Sequence, residues 1–204
     1  MTAGIRLVVV RHGATELTNR VFNGSGAHAA DPPLADAGRA QAQWARGRVA
    51  TIGPPTAHLA SPARRARQTA ELMGYQSIAA GEPALAEVDF GRWEGRSPAQ
   101  ARADDPEYFA RWWRDPELPA PGGSSLAASA VAARALVDAL LMAGETADVL
   151  LVGHASTVRL LTALALHLPL AQSSRVQVPP ATVAEVRFWP DGGSCLESLD
   201  WPRM

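Results

Sequence analysis

Two histidines in this 204-residue chain stand where reactive groups are easily assembled. His12 follows Ile5–Val10, apolar but for Arg6, and His154 follows Val149–Val152. Continuous β-branched runs of this length read as buried strands. In open α/β sheets, ligands bind beyond the carboxyl ends of strands. Two histidines at two such ends are therefore expected to face one pocket. Arg11 precedes His12, and Gly13 follows it. A guanidinium grips phosphate oxygens with a forked pair of charged hydrogen bonds. A neutral imidazole is a competent nucleophile toward phosphorus, and positive neighbours disfavour the imidazolium. Alone, Arg-His-Gly is weakly specific, because a histidine hydrogen-bonded in a turn has the same sequence.

Two further constellations bear on an anion. Ser61 to Ala70 places Arg64, Arg65 and Arg67 at a helix start, where they either meet an anion or form a solvated basic face. Leu85 to Gly95 holds Glu87, Asp89 and Glu94 among aromatic residues and glycines. A partly desolvated carboxyl there would favour its protonated form and suit a general acid. A turn with exposed acids around a packed tryptophan is the plainer reading of Asp89 and Glu94.

The elements needed to hold these groups alternate along the chain. Residues 36–50 read as a helix, and Ala57–Ala60 as a short strand. Ser61-Pro62 reads as the start of a helix that runs to about Met73, with Ser61 as its N-cap. Residues 77–86 are expected to hold another short strand. Residues 87–122 carry Trp93, Tyr108, Trp112 and Trp113, with helix boundaries at Ser97-Pro98, Asp105-Pro106 and Asp115-Pro116. They read as a small helical cap inserted over one end of the sheet. Apolar spacing from 124 to 143 is helical, and another helix follows from about Ser156 to Leu168. Thr182–Trp189 and Cys195–Leu199 read as a closing hairpin around Asp191-Gly192-Gly193. Strands alternating with helices predict an α/β three-layer sandwich, its central sheet mostly parallel and its two faces covered by helices. The chain reads as a single domain.

Composition narrows the classes of function. Net charge is −1, so no global field draws the chain to nucleic acid or an anionic membrane. All 19 lysine-plus-arginine positions are arginine, so a bound phosphate must be held by arginine, histidine and backbone. One cysteine, Cys195, excludes an intrachain disulfide. No run approaches a membrane span, and the apolar run near the start is too short for a signal core. A soluble, cytoplasmic protein is expected.

Taken in order, these segments resemble the histidine phosphatase superfamily, the phosphoglycerate-mutase-like proteins. Arg11-His12-Gly13-Ala14-Thr15 is similar to the family's Arg-His-Gly signature. Ser61-Pro62 through Arg65-Ala66 to Thr69-Ala70 is similar to its Ser-x-x-x-Arg-Ala-x-x-Thr-Ala helix. Leu85-x-Glu87 with Phe90-Gly91-x-Trp93-Glu94-Gly95 resembles its acid segment, and Pro121-Gly122-Gly123 and Val152-Gly153-His154 complete the order. The resemblance implies that His12 is the nucleophile that becomes phosphorylated and that Arg11 and Arg65 clamp the phosphate. It implies that His154 hydrogen-bonds the transferring group and that Glu87 donates a proton to the leaving oxygen. Asn23 and Ala155 are carried over as phosphate- or substrate-binding positions. Arg64 and Arg67 match no functional position. Three departures stand out: Thr18 where many members have asparagine (Asn19 is adjacent), Ala63 for leucine, and Ser124 for glutamate.

The expected activity is hydrolysis of a small phosphorylated metabolite by a phosphohistidine mechanism that needs neither cofactor nor metal, in a monomer or homodimer. A cofactor-dependent phosphoglycerate mutase is the alternative; the short Glu87–Gly123 interval argues against it. A metal-dependent hydrolase built on His12 and His154 is opposed by the flanking Arg11. A non-catalytic phosphate-binding module is opposed by the full set His12, Arg65, Glu87 and His154. The rings of Phe90, Trp93, Tyr108, Phe109, Trp112 and Trp113 either line a substrate pocket or form the core of the cap.

Overall fold

A computed structural model describes residues 4–76, 81–143 and 148–203. Strand β1 (Ile5–Arg11) is the organising element. Its side chains alternate between two apolar layers, as the period of a strand requires. Leu7 and Val9 join Val149, Leu151, Val137 and Leu161 on one face, while Val8 and Val10 join Ala45, Val49, Ala66 and Leu150 on the other. Both faces are buried, which explains why the run has no polar alternation.

The first of these layers is formed by helices α5 (Leu126–Met142) and α6 (Ala155–Ala165), the second by α1 (Asp36–Ile52) and α2 (Arg64–Leu72). Between them lies a five-stranded sheet of order β2-β3-β1-β4-β5, with β2 Ala57–Ala60, β3 Asp148–Gly153, β4 Val183–Phe188 and β5 Ser194–Asp200. Strands β2, β3 and β1 pair in parallel, and β4 is antiparallel to both β1 and β5. Only β4 runs against the rest, so the sheet is mostly parallel and the three-layer α/β architecture is the one expected.

Two local readings are corrected. The strand expected within 77–86 is not there among its described residues: Pro83–Leu85 is a 3-10 turn capped by the Glu82 side chain, while residues 77–80 lie outside the described residues. Proline at the first position withholds the N–H that a ladder needs. Helix α2 begins at Arg64 with Ala63 at its N-cap, so Ser61 is not the cap.

Between the 3-10 turn Gly91–Trp93 and α5 lie helices α3 (Pro98–Asp104) and α4 (Pro106–Trp112), each with proline at its start. Ser97 and Asp105 cap them through Gln100 N–H and Tyr108 N–H. They pack around Trp93, Ala101, Phe109 and Ala120, a third apolar cluster separate from the two sheet layers. The opposite end of β1 is fastened by Arg6, which pairs with Asp148 and Glu185 at 3.0 Å each and donates to the carbonyls of Ile52 and Gly53.

Candidate active site

Parallel register brings the two histidines together. Arg11 of β1 lies opposite Gly153 of β3, so the next residues, His12 and His154, leave the sheet side by side. Their ring centroids are 5.1 Å apart, with planes at 70°. His12 N–H donates to the Gly153 carbonyl at 2.9 Å, which holds this exit in place. Helix α1 presses against the turn that follows: a Cβ on Gly13 would stand 2.3 Å from the Gly38 carbonyl oxygen. Glycine is therefore required at 13 by close backbone approach.

The same edge receives residues from β2. Ala60 pairs with Val152, and Ser61 comes next. Its Oγ lies 2.8 Å from His154 Nε2. Arg65, on the first turn of α2, brings its guanidinium to the other side of that ring, 3.3 Å from Nδ1. Arg65 also donates to the carbonyls of Asn23 and Gly24, at 3.1 and 3.3 Å.

Hydrogen bonding fixes the tautomers. His12 Nδ1 is 2.7 Å from the Gly13 carbonyl oxygen, an acceptor only, so Nδ1 carries the proton and Nε2 keeps its lone pair. Arg65 is a donor only, so His154 accepts at Nδ1 and carries its proton at Nε2, donating to Ser61. Both rings are held far below the ordinary histidine pKa. For His12 the causes are burial first, then Arg11 and Arg65; for His154 they are burial, then Arg65, His12 and Arg11. Both are therefore neutral at pH 7.

The cations are the opposite case. Arg11 is pulled down to about 10, chiefly by desolvation. Its Nη1 donates to the Val178 carbonyl, while its Nε has no acceptor among the described residues. Arg65 is 2% exposed; among the described residues its salt-bridge partner is Asp31, 3.8 Å away and half-exposed, and Glu87 also opposes the desolvation. Buried cations with so little compensation are costly unless an anion meets them. A hollow of about 190 Å³ lies there, lined by Arg11, His12, Thr15, Asn23, Arg65 and Glu87, among others. Thr18 and Asn19 also line it; Thr18 Oγ1 accepts from Thr15 N–H. Among the described residues, no group of three or more His, Cys, Asp or Glu is arranged to hold a metal ion.

The loop 22–26 closes the hollow and is held by Glu94. That carboxylate accepts from the N–H groups of Gly24, Gly26 and Phe90, at 2.8, 3.3 and 3.1 Å. Ser25 Oγ donates to the Glu87 carbonyl at 2.7 Å, so the same loop touches the segment bearing Glu87. Asp89 accepts from Gly91 N–H, and Ser124 Oγ accepts from Asp89 N–H. Asp89 and Glu94 are thus structural in this arrangement, and Ser124 ties the acid segment rather than capping α5, whose cap is Ser125. Ala155 opens α6 and lines a neighbouring cavity rather than the hollow itself. Residue-type reasoning missed Ser61; the pairing of β2 with β3 is the signal that would have found it.

Fold and site together define an α/β protein that brings two neutral histidines and two buried arginines to the carboxyl edge of its sheet. The chain belongs to the histidine phosphatase superfamily (branch 1), whose family model matches residues 7–200. A bifunctional protein of Mycobacterium tuberculosis is 34% identical over 199 residues, 96% of this chain but 53% of that protein. The chain thus spans about half the length of the first curated relatives it matches. An acid phosphatase of M. tuberculosis is 31% identical over 186 residues, 90% of this chain and 86% of the relative. Among solved structures, a mycobacterial glucosyl-3-phosphoglycerate phosphatase superposes with a TM-score of 0.79 at 26% identity, covering 94% of this chain and 96% of that one. Among the described residues, no helix is long and apolar enough to cross a membrane.

Proposed function

We propose that this protein is a phosphomonoesterase that hydrolyses a small phosphorylated metabolite through a phosphohistidine on His12. The observation that carries this reading is the tie from His12 Nδ1 to the Gly13 carbonyl, which leaves Nε2 as a free base beside two guanidiniums. Phosphoryl transfer depends on positioning and charge stabilisation. Arg11, Arg65 and His154 surround the equatorial oxygens, Asn23 borders them, and the first N–H groups of α6, from Ala155, lie nearby. His12 Nε2 attacks phosphorus, and the bond to the alcohol oxygen breaks. Glu87 gives that oxygen its proton. Glu87, now a base, takes a proton from water, which attacks the phosphohistidine and releases phosphate and free His12. No step calls on a metal or cofactor.

The relatives' names support phosphatase chemistry, since an acid phosphatase and a glucosyl-3-phosphoglycerate phosphatase each match most of the chain. Residues 87–122 act in this reading as a cap within a single domain. Cys195 is free, which suits a reducing cytoplasm, and a monomer or homodimer serves the chemistry equally. The test is turnover of an aryl phosphate by wild type and His12→Ala. Wild type should turn over after exhaustive chelation, and the variant should lose at least about 1,000-fold, as removal of a covalent nucleophile does. Near-normal turnover by the variant would refute the mechanism.

A further inference from the structure

A second cavity, of about 250 Å³, opens beside the anion hollow and shares Phe22, Glu87 and Phe90 with it. An ester whose phosphoryl group sits in the hollow, with its bridging oxygen at Glu87, therefore directs its alcohol portion into this cavity. The wall is largely apolar, with Val88, Trp112, Leu126 and Leu170 contributing. Arg159 also lines it. Arg159 stands on α6 four residues after Ala155, so both lie on one helix face, roughly 5–6 Å apart at Cβ.

Arg159 is half-buried. Its Nε donates to the Val176 carbonyl at 3.2 Å, and among the described residues it makes no ion pair. Burial lowers its pKa, with Glu87 opposing the shift. Glu87 also faces Arg11 and Arg65, so one carboxylate is shared among three guanidiniums. The cavity's other charges, Arg114 and Asp115, are exposed, and the Asp115 carboxylate already accepts from Glu117 N–H. A guanidinium half-buried beside apolar side chains is stabilised by an anion that meets it.

We propose that this cavity holds the alcohol portion of the substrate, and that Arg159 selects an alcohol with an apolar or aromatic body and a second anionic group. A carboxylate and a phosphate share the geometry that a guanidinium fork recognises. The proposal rests on the phosphatase reading and extends it to a substrate class.

Three aryl phosphates with similar leaving groups test it: 4-methylphenyl phosphate, 4-(carboxymethyl)phenyl phosphate and 4-(phosphonomethyl)phenyl phosphate. Wild type should favour one or both anionic esters by about tenfold or more in kcat/KM, the scale of a charged hydrogen bond. The ester with the larger advantage identifies the anion. Arg159→Met should bring the ratio of anionic to neutral ester close to one, and Arg159→Lys should retain part of it. Equal or better turnover of the neutral ester by wild type overturns the proposal without any variant having to fold. A preference that survives in Arg159→Met also overturns it. Turnover of none of the three overturns the phosphatase reading and this inference with it.

Discussion

Ser61 Oγ stands 2.8 Å from His154 Nε2, on the side of the ring opposite the Arg65 guanidinium. A hydroxyl both donates and accepts. It accepts from Nε2–H of the neutral ring, and it can turn to donate to Nε2 if the ring changes tautomer to present Nδ1–H to an arriving oxyanion. Ser61→Ala should therefore do more than loosen packing. Leaving a buried donor unsatisfied costs about 1–3 kcal/mol, read as a lower melting temperature. We expect kcat to fall by about tenfold or more with KM little changed, and Ser61→Thr to recover part of it. An unchanged kcat in Ser61→Ala would show that the hydroxyl is mere filling.

The two depressed histidines make stability depend on pH. Each has a native pKa well below 6.5, so the unfolded chain binds the proton more readily. Their contribution is complete above about pH 6.5, the unfolded value, and declines as pH falls below it. The decline is up to about 1.4 kcal/mol per pH unit for each ring until its native pKa is reached. Denaturant titrations of the ligand-free protein between pH 7.5 and 5 should show this slope, and His154→Asn should show a shallower one. A flat profile would mean the rings are not held neutral.

Glu94 gathers three backbone N–H groups from two segments. Removing it frees the loop that supplies Arg65 with its carbonyl acceptors at Asn23 and Gly24. Glu94→Ala should lose about 2 kcal/mol of stability, the scale of hydrogen bonds to a charged group, and should raise KM. Glu94→Gln, which keeps one acceptor oxygen, should be milder in both. Equal effects of the two substitutions in urea melts and steady-state kinetics would contradict this role.

Glu87→Gln should discriminate among leaving groups. Alcohols that leave poorly need the proton most. Alkyl phosphates should slow by at least about 100-fold in kcat/KM, and nitrophenyl phosphate by far less. Uniform slowing across the series would assign the acid elsewhere.

At the far end of β1, Arg6→Met would strand Glu185, which is buried, while Asp148 is partly solvated and loses less. A loss of about 3 kcal/mol is expected from breaking such a pair, with kcat/KM of the surviving folded protein unaltered. Thermal and denaturant unfolding beside steady-state kinetics would check both halves.

What could be read before folding was whatever depends on strand position and period. His12 and His154 were legible because each ends a buried run, and parallel register does the rest. Arg65 was legible only through resemblance, since three arginines in four positions equally describe a wet helix face. Ser61 misled because serine before proline is a good cap, whereas strand pairing decides which group its hydroxyl meets. The aromatic residues of 87–122 were ambiguous for a similar reason. Trp93 and Phe109 turned out to be core, while Phe90, Trp112 and Trp113 line the cavity. That partition depends on how α3 and α4 pack, and composition does not contain it.

The most direct test of the central claim is rapid acid-free quenching of wild type during turnover of an aryl phosphate, followed by mass analysis of the protein. The account predicts one phosphoryl adduct, located on His12, stable to alkali and lost in mild acid. Burst kinetics with no adduct on His12, or an adduct on another residue, would contradict it.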